Sequence, residues 1–314
     1  MKKNLFLLLF LLLSLSGYSQ QLEWIPFKWV GGYMSRKYFD KAALFVPVNI
    51  DNLPEEFMQF DLGASTCLYE NSMKHYWEEN KLLREKLDTT NTFMHNGKDA
   101  QWLNNINLKL GKVSFNGINI FYYKNYGMIP QKRKGLHWTS KPHYVGRIGT
   151  LGADLFQDKV LVIDYPNTRI AVTDSLPDEY KDLPYERIKL DLINRAIIPF
   201  RINGKEEWLL FDTGSSSTQF NTSKEQALEI SDSIVIGSRT GSSWGNLITT
   251  VQFKVNKPVE FAGKVLENPI VSYITDERYS QSHKRENIWG VTGNAFFWDN
   301  MVIIDYKNKT FRVK

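Results

Sequence analysis

The sequence predicts a mainly β protein with two related, β-barrel-like lobes and a few short helices. The first reason is an internal repeat. Segments 149–172 and 290–313 both carry a Gly-x-x-Gly turn, a strand ending in Ile-Asp-Tyr, and a turn with Asn before a last strand. The second reason is that short segments rich in Val, Ile, Phe and Tyr recur between Gly, Asn and Asp turns. The third is segment 174–185, which is polar, contains Pro and lacks a hydrophobic period, as is typical of a linker.

The first residues have the three parts of a secretory signal peptide. Two lysines precede an apolar run from Leu5 to Leu13, and small residues follow at Gly17 and Ser19. A membrane anchor is the alternative, but the run is well short of the roughly 20 residues that a spanning helix needs. We therefore expect residues 1–19 to be removed, leaving a periplasmic or extracellular protein with no membrane span.

The remaining chain divides into two lobes at the polar linker. We expect an N-terminal lobe over residues 20–173, the linker over 174–186 and a C-terminal lobe over 187–314. Each lobe has the same order of strands, an Asp-x-Gly sequence, a long insert and one copy of the repeat. Two helices are also expected. The apolar pattern of residues 70–87 suits an amphipathic helix, and a shorter one is expected over 223–230.

Composition narrows the class of protein. Hydrophobic residues make up 42% and charged residues 23% of the 314-residue chain, which is ordinary for a soluble protein with a core. Cys67 is the only cysteine, so we expect no internal disulfide and a buried thiol. The formal net charge of +5 is too small to indicate a nucleic-acid partner, and the basic cluster at residues 132–134 is expected to be a solvated loop.

Two matching motifs carry the chemistry. Residues 60–66 read Phe-Asp-Leu-Gly-Ala-Ser-Thr and residues 211–217 read Phe-Asp-Thr-Gly-Ser-Ser-Ser, each after a hydrophobic strand. A single Asp-x-Gly usually marks a turn, but two at matching places in a tandem repeat are far rarer by chance. Two adjacent carboxyl groups share one proton, so the ionised one can activate a water while the protonated one polarises a carbonyl. The sequence therefore predicts Asp61 and Asp212 as a catalytic pair.

These motifs, with the later apolar-Gly strands at residues 148–149 and 289–290, resemble the duplicated core of the pepsin/retropepsin superfamily. The two-lobed layout is similar to pepsins, whereas the Gly-x-x-Gly-x-x-x-Phe segments look closer to bacterial retropepsin-like sequences. The resemblance implies a bilobed, pepsin-like (acid protease) fold and an aspartic endopeptidase that acts on peptides or proteins without a metal or other cofactor. It implies a monomer and a catalytic dyad, Asp61 and Asp212, supported by the loop residues Gly63, Ala64, Thr213, Gly214 and Ser215.

One position departs from the family pattern. The family usually has Thr or Ser directly after each catalytic Asp, where the hydroxyls bridge the two lobes. Thr213 follows this pattern, but Leu62 does not. If Thr213 were left buried and unpaired, the loss would be about 1–3 kcal/mol. This departure leaves an alternative open, namely a catalytically inactive pepsin-like protein that binds peptides or acts like an inhibitor.

A flap over the cleft is also implied by the resemblance. His95-Asn96-Gly97 lies between extended segments, and Asn-Gly is a strong signal for a hairpin turn. Phe93 and Trp102 flank this turn and are therefore candidates to cover a substrate. An ordinary surface hairpin is the alternative.

Three other patterns are weaker. Residues 241–245 fit the Gly-x-Ser-x-Gly nucleophile elbow, but a β-branched segment follows instead of a helix, so we expect a second-lobe hairpin facing the cleft. The five histidines have no metal-ligand spacing and no Cys pair, so no zinc site is expected. The repeated Asp-Tyr pairs at residues 164–165 and 305–306 lie at strand ends, and we expect them to be structural.

Overall fold

The computed structural model describes residues 22–129 and 146–314. The expected signal peptide and the basic cluster at residues 132–134 lie outside these ranges. The first half of the chain forms strands β1 (Ile25–Pro26), β2 (Lys28–Met34), β3 (Lys37–Ile50), β4 (Glu56–Phe60), β5 (Cys67–Tyr69), β6 (Phe93–His95), β7 (Lys98–Leu110), β8 (Val113–Tyr123), β9 (Gly149–Leu151), β10 (Val160–Asp164) and β11 (Arg169–Thr173).

The second half begins after residues 174–185, which include a turn of 3-10 helix at Asp178–Tyr180. Its strands are β12 (Glu186–Arg187), β13 (Lys189–Leu190), β14 (Ala196–Ile202), β15 (Lys205–Phe211), β16 (Phe220–Thr222), β17 (Ser231–Ser243), β18 (Asn246–Val255), β19 (Val259–Phe261), β20 (Lys264–Val265), β21 (Ile270–Ile274), β22 (Gly290–Thr292), β23 (Met301–Asp305) and β24 (Thr310–Val313). The molecule is therefore mainly β, as predicted.

The strands form one sheet per half and one shared sheet. The first half has an eight-stranded sheet, β2-β3-β4-β9-β5-β8-β7-β6, in which an extra pairing of β3 with β7 curls the sheet on itself. The second half has a ten-stranded sheet in the order β17-β18-β21-β16-β22-β15-β14-β19-β20, with β13 paired to β14. A six-stranded sheet, β1-β11-β10-β23-β24-β12, joins both halves.

The internal repeat is confirmed by the pairing within this shared sheet. Both copies have the order strand, 3-10 turn, strand, strand, with the turns at Ala153–Phe156 and Asn294–Phe296. β10 and β23 run antiparallel, and Val162 lies opposite Ile303, the residue at the same place in the other copy. The pairs on either side are arranged symmetrically about this one. An approximate twofold axis therefore relates the two copies.

The aspartates of the repeated Asp-Tyr pairs have a structural role, as expected. Asn167 Nδ2 donates to Asp164 Oδ1 at 3.0 Å, and Asn308 Nδ2 donates to Asp305 Oδ2 at 2.7 Å. Each carboxylate thus holds the tight turn that follows its strand, in the manner of Asx turns.

The apolar-Gly strands lie directly behind the Asp-x-Gly loops. β9 runs parallel to β4 and β22 runs parallel to β15, and each ends level with the strand that precedes the Asp, with Leu151 opposite Phe60 and Thr292 opposite Phe211. A methyl group on Gly149 would lie 2.0 Å from the Cys67 carbonyl oxygen, and one on Gly290 would lie 2.3 Å from the Asn221 oxygen. These approaches are too close for any side chain, so glycine is required at both positions.

The helices of the described residues are α1 (Glu70–Glu79), α2 (Lys81–Glu85), α3 (Lys224–Glu229) and α4 (Glu277–Glu286). The single helix expected over residues 70–87 is wrong, because the chain breaks at Asn80 into α1 and α2. Asn80 has an extended backbone, and its side-chain oxygen accepts the Leu83 N–H at 3.0 Å, which caps α2. The shorter helix is confirmed as α3, where Ser223 Oγ accepts the Gln226 N–H at 3.2 Å.

The core is continuous across the two halves, and apolar side chains from all three sheets contribute to it. Cys67 is fully buried with the aromatic rings of Tyr69 and Tyr123, which confirms the expected buried thiol. Within residues 22–129 and 146–314, no helix has the length and apolar character needed to cross a membrane.

Candidate active site

The two Asp-x-Gly loops meet where the halves of the chain face each other. Asp61 follows β4 and Asp212 follows β15, and their carboxyl groups lie within hydrogen-bond reach of each other. The loops have the same internal bonds, since Ala64 N–H donates to the Asp61 carbonyl at 3.2 Å and Ser215 N–H to the Asp212 carbonyl at 3.1 Å. The structure therefore brings together the two carboxyl groups that the sequence predicts as a pair.

The glycines of the motifs allow this close approach. Gly63 N–H donates to Asp61 Oδ1 at 3.1 Å, and Gly214 N–H donates to Asp212 Oδ1 at 2.8 Å. A methyl group on Gly63 would lie 2.5 Å from Asp212 Cγ, and one on Gly214 would lie 2.4 Å from Asp61 Oδ2. Each glycine thus packs against the carboxyl group of the opposite loop, and any side chain would push the pair apart.

Thr213 bridges the two halves without a hydroxyl partner at position 62. Its Oγ1 accepts the backbone N–H of Leu62 at 2.8 Å and donates to the backbone carbonyl of Phe60 at 3.0 Å. The Thr213 and Leu62 side chains are fully buried. The concern that Leu62 would leave Thr213 unpaired is therefore wrong, because backbone groups replace the missing hydroxyl. Leu62 instead contributes its side chain to the core.

Further polar groups, which sequence reasoning missed, hold the loops from behind. Asn294 is fully buried, and its Nδ2 donates to the Thr213 carbonyl at 2.7 Å and to Ser216 Oγ at 2.9 Å, while its Oδ1 accepts the Tyr165 hydroxyl at 2.6 Å. In the first half, Asp154 Oδ1 accepts from the backbone and hydroxyl of Thr66. Asn294 and Asp154 stand near the Gly-x-x-Gly turns, but nothing in their spacing indicated these bonds.

The pKa values of both carboxyl groups are raised in the folded protein. Burial raises the pKa of Asp61 well above its ordinary value, and the adjacent Asp212 carboxylate and its hydrogen bond raise it further. Burial also raises the pKa of Asp212, but the hydrogen bond from Asp61 and those from the backbone N–H groups of Gly214 and Ser215 act to lower it. Two adjacent buried carboxyl groups cannot both ionise easily, so the pair shares one proton and carries one negative charge.

A cleft of about 320 Å³ opens above the pair and is lined by residues from both halves. Arg147, which sequence reasoning missed, lies in its wall and donates to Gln59 Oε1. The Arg147 guanidinium lies 5.6 Å from the centre of the Tyr69 ring, whose hydroxyl is hydrogen-bonded to Thr150 Oγ1. Gln59 and Tyr69 are distant from Arg147 in sequence, so the sequence alone did not indicate that Arg147 would line the cleft.

The hairpin β17–β18 of the second half reaches across this cleft. Its turn, Trp244-Gly245, lies in the cleft lining, which confirms the expected second-lobe hairpin. The Trp244 ring lies 5.5 Å from the ring of Tyr123 and 6.2 Å from that of Tyr126, both in the first half. Trp244 has φ of 49°, a left-handed conformation that is unusual for a bulky residue and is favoured here by these contacts.

A second hairpin contact lies on the same side of the cleft. The turn between β2 and β3 contains Ser35, whose Oγ accepts the Thr240 N–H at 2.6 Å. Met34 in β2 lies in the cleft lining, and its sulfur accepts a weak hydrogen bond from Ser217 at 3.7 Å. The cleft is therefore bordered by hairpins from both halves.

The hairpin expected as a flap forms between β6 and β7. The turn between β6 and β7 is confirmed, with Asn96 and Gly97 both at positive φ. However, Phe93 and Trp102 pack on Phe121, with ring centres 5.8 and 4.5 Å away, and neither is among the described residues that line the cleft. Both rings pack on the aromatic surface of β8, and the expectation that they cover a substrate stays a prediction.

Among the residues that the structure describes, no three His, Cys, Asp or Glu side chains are grouped as metal ligands would be. His283 lies in the cleft wall on α4, where burial lowers its pKa to about 4. It is therefore neutral over most of the pH range.

No model of a known protein family matches the chain, and no curated protein matches it. Among solved structures, the fold is similar to that of the aspartic proteinase from Irpex lacteus. The TM-score is 0.50 at 13% sequence identity, and the alignment covers 93% of this chain and 97% of that one. The chain therefore has the pepsin-like fold that its sequence predicts.

Proposed function

We propose that this protein is an aspartic endopeptidase in which Asp61 and Asp212 activate one water molecule. The observation that carries the proposal is the meeting of two carboxyl groups, from equivalent loops of a duplicated fold, at the base of a cleft. Because two adjacent carboxyl groups cannot both ionise easily, the pair holds one proton. This is the protonation state that acid–base hydrolysis of an amide needs. The pepsin-like fold supports this reading.

The two groups have distinct roles in the proposed reaction. The Asp212 carboxylate accepts a proton from the bound water as the water oxygen attacks the peptide carbonyl carbon. Asp61 donates its proton to the carbonyl oxygen, which gives a tetrahedral diol. Asp212 then donates its new proton to the amide nitrogen, the C–N bond breaks, and Asp61 recovers a proton from the diol hydroxyl. The pair ends in its starting state, and one water has been consumed.

The surrounding residues position these groups. The hydrogen bonds of Thr213 to the backbone of Leu62 and Phe60 hold the loops in a fixed relation. Such fixed geometry matters because small displacements of reacting groups lower rates steeply. The same bonds weaken the case for an inactive relative, since the departure at Leu62 does not leave Thr213 unpaired.

The proposed substrate is a peptide or an unfolded protein segment. The cleft volume is in the range of sites that hold several side chains, and hairpins border it. The signal-like sequence at residues 1–19 supports a further proposal, that the protein is exported before it acts. Sequencing the N-terminus of the mature protein tests export.

Hydrolysis of an unfolded protein by wild type, across acidic and neutral pH, tests the proposed activity. We expect cleavage by wild type and almost none by Asp61→Asn or Asp212→Asn, each shown to be folded by circular dichroism. An inactive wild type at every pH would favour the peptide-binding alternative. Retained activity in a well-folded single variant would contradict the assigned pair.

A further inference from the structure

The cleft carries more positive than negative charge. Its charged lining consists of Asp61, Asp212, Arg147 and Arg239, together with His283. His283 is neutral above about pH 4, because burial lowers its pKa. The aspartate pair carries one negative charge when it shares a proton, so the two arginines leave the cleft with a net positive charge.

Arg147 has no carboxylate partner of its own. Its guanidinium is bonded to the Gln59 amide oxygen and stacked near Tyr69, and no ion pair of Arg147 occurs within the described ranges. The undescribed segments, 1–21 and 130–145, contain neither Asp nor Glu, so they cannot supply a partner. Arg147 lies near enough to Asp61 to lower that pKa, although this is the smallest of the influences on Asp61.

Arg239 comes from the second half of the chain and lines the same cleft. It lies on β17 opposite Thr250 of β18, and both residues line the cleft. The Arg239 guanidinium lies 4.4 Å from the centre of the Phe39 ring, and burial lowers the pKa of Arg239. This cation is therefore partly removed from water and is held by a ring instead of a carboxylate.

A guanidinium that lines the cleft without an anionic partner is an incomplete site. Arg presents a planar fork of N–H donors that matches a carboxylate in two parallel hydrogen bonds. The hydrogen bond to Gln59 and the Tyr69 ring hold the Arg147 fork within the cleft wall. A carboxylate entering the cleft would replace lost hydration and meet a complementary charge.

We propose that the cleft selects peptides with an acidic side chain close to the scissile bond, bound by Arg147, with Arg239 adding to the preference. This inference rests on the proposed function only in taking a peptide as the ligand. Arg147 has the leading role because it lies close to Asp61. Arg239 lines the same cleft and adds to its positive charge, which attracts an acidic side chain.

Binding tests the proposal separately from catalysis. Two fluorescently labelled peptides, identical except for Glu or Gln at one central position, are titrated into the full-length Asp212→Asn variant, which is expected not to cleave them. We expect the Glu peptide to bind about ten-fold more tightly at low salt, which corresponds to about 1.4 kcal/mol. The difference should shrink as salt is added, because the cleft is open to solvent.

Substitutions in the same background identify the contact. Arg147→Gln should bring the Glu/Gln ratio close to one, and Arg147→Lys should retain part of it, since Lys keeps the charge but loses the fork. Arg147→Glu should reverse the preference toward a matched Lys peptide, which a purely structural role would not do. Arg201→Gln is the control, because Arg201 is an exposed cation on β14 outside the cleft, and it should leave the ratio unchanged.

The outcomes separate the two proposals. Equal binding of the Glu and Gln peptides, or a ratio that survives Arg147→Gln, would overturn acidic selection even if the wild type is an active peptidase. An Arg147-dependent preference in a protein whose wild type never cleaves peptides would support acidic selection while contradicting the proposed function. Absence of binding to either peptide would contradict both.

Discussion

Replacing Thr213 with Val removes one hydroxyl group and nearly preserves the shape of the side chain. In the native protein this hydroxyl accepts the Leu62 N–H at 2.8 Å and donates to the Phe60 carbonyl at 3.0 Å. Leu62, Phe60 and Thr213 are all fully buried, so water cannot replace these bonds. A buried polar group without a partner costs about 1–3 kcal/mol, and two are affected. We therefore expect the free energy of unfolding to fall by about 2–6 kcal/mol.

Urea unfolding of wild type and Thr213→Val, analysed with a common slope, measures this difference. Thr213→Ser is the matched control, because it keeps the hydroxyl and loses one methyl group, for an expected loss of about 1 kcal/mol. The Val variant should also lose peptidase activity, since the bridge holds the two loops together. A Val variant within about 0.5 kcal/mol of wild type would refute the argument, because that is the ordinary effect of a neutral surface change.

Three other changes have defined outcomes. Gly63→Ala should lower kcat/KM by about 10²-fold in a folded protein, because its methyl group would displace the Asp212 carboxyl. Gly32→Ala is the kinetic control, because Gly32 is not among the described residues that line the cleft and its methyl group would make an ordinary contact, 3.5 Å from Ala42 Cβ. Asp61→Asn should stabilise the protein relative to wild type at pH 7 but not at pH 3 in urea unfolding. The pKa of Asp61 in the folded state is raised above its unfolded-state value of about 3.9, so wild-type stability falls as the pH rises from about 3.9 through the folded-state pKa. An equal difference in stability between the variant and wild type at both pH values would contradict this. Trp244→Ala should raise KM about three- to ten-fold with little change in kcat, as the hairpin loses its aromatic contacts, and an unchanged KM would show that the hairpin does not shape the cleft.

The repeat made much of the fold predictable. Two copies of one strand pattern imply two equivalent units, and the opposition of Val162 and Ile303 agrees with that symmetry. The sequence did not indicate that these strands would pair with each other in one sheet, because pairing depends on contacts far apart in the chain. The break at Asn80 was also missed, since the apolar pattern continues through it while the side chain caps α2 locally.

The candidate site was predictable where the motif is local. The same hydrogen bonds and close approaches recur in each half, and they fix the Asp, the Gly two residues later and the apolar-Gly strand. The spacing of these residues in the sequence therefore predicts the two loops. Arg147 and Asn294 were not predictable, because each acts through partners that are distant in sequence. The packing of Phe93 and Trp102 on Phe121 was not predictable, because an Asn-Gly turn predicts a hairpin but not the surface on which the hairpin packs.

The most direct test of the central claim is kcat/KM for four proteins: wild type, Asp61→Asn, Asp212→Asn and the double variant. Two carboxyl groups that share one proton act as a unit, so either single change should lower kcat/KM by roughly 10³-fold or more. The double variant should then be little worse than either single one. Losses that add independently in the double variant, or a folded single variant with wild-type kcat/KM, would contradict the claim that Asp61 and Asp212 work as a pair.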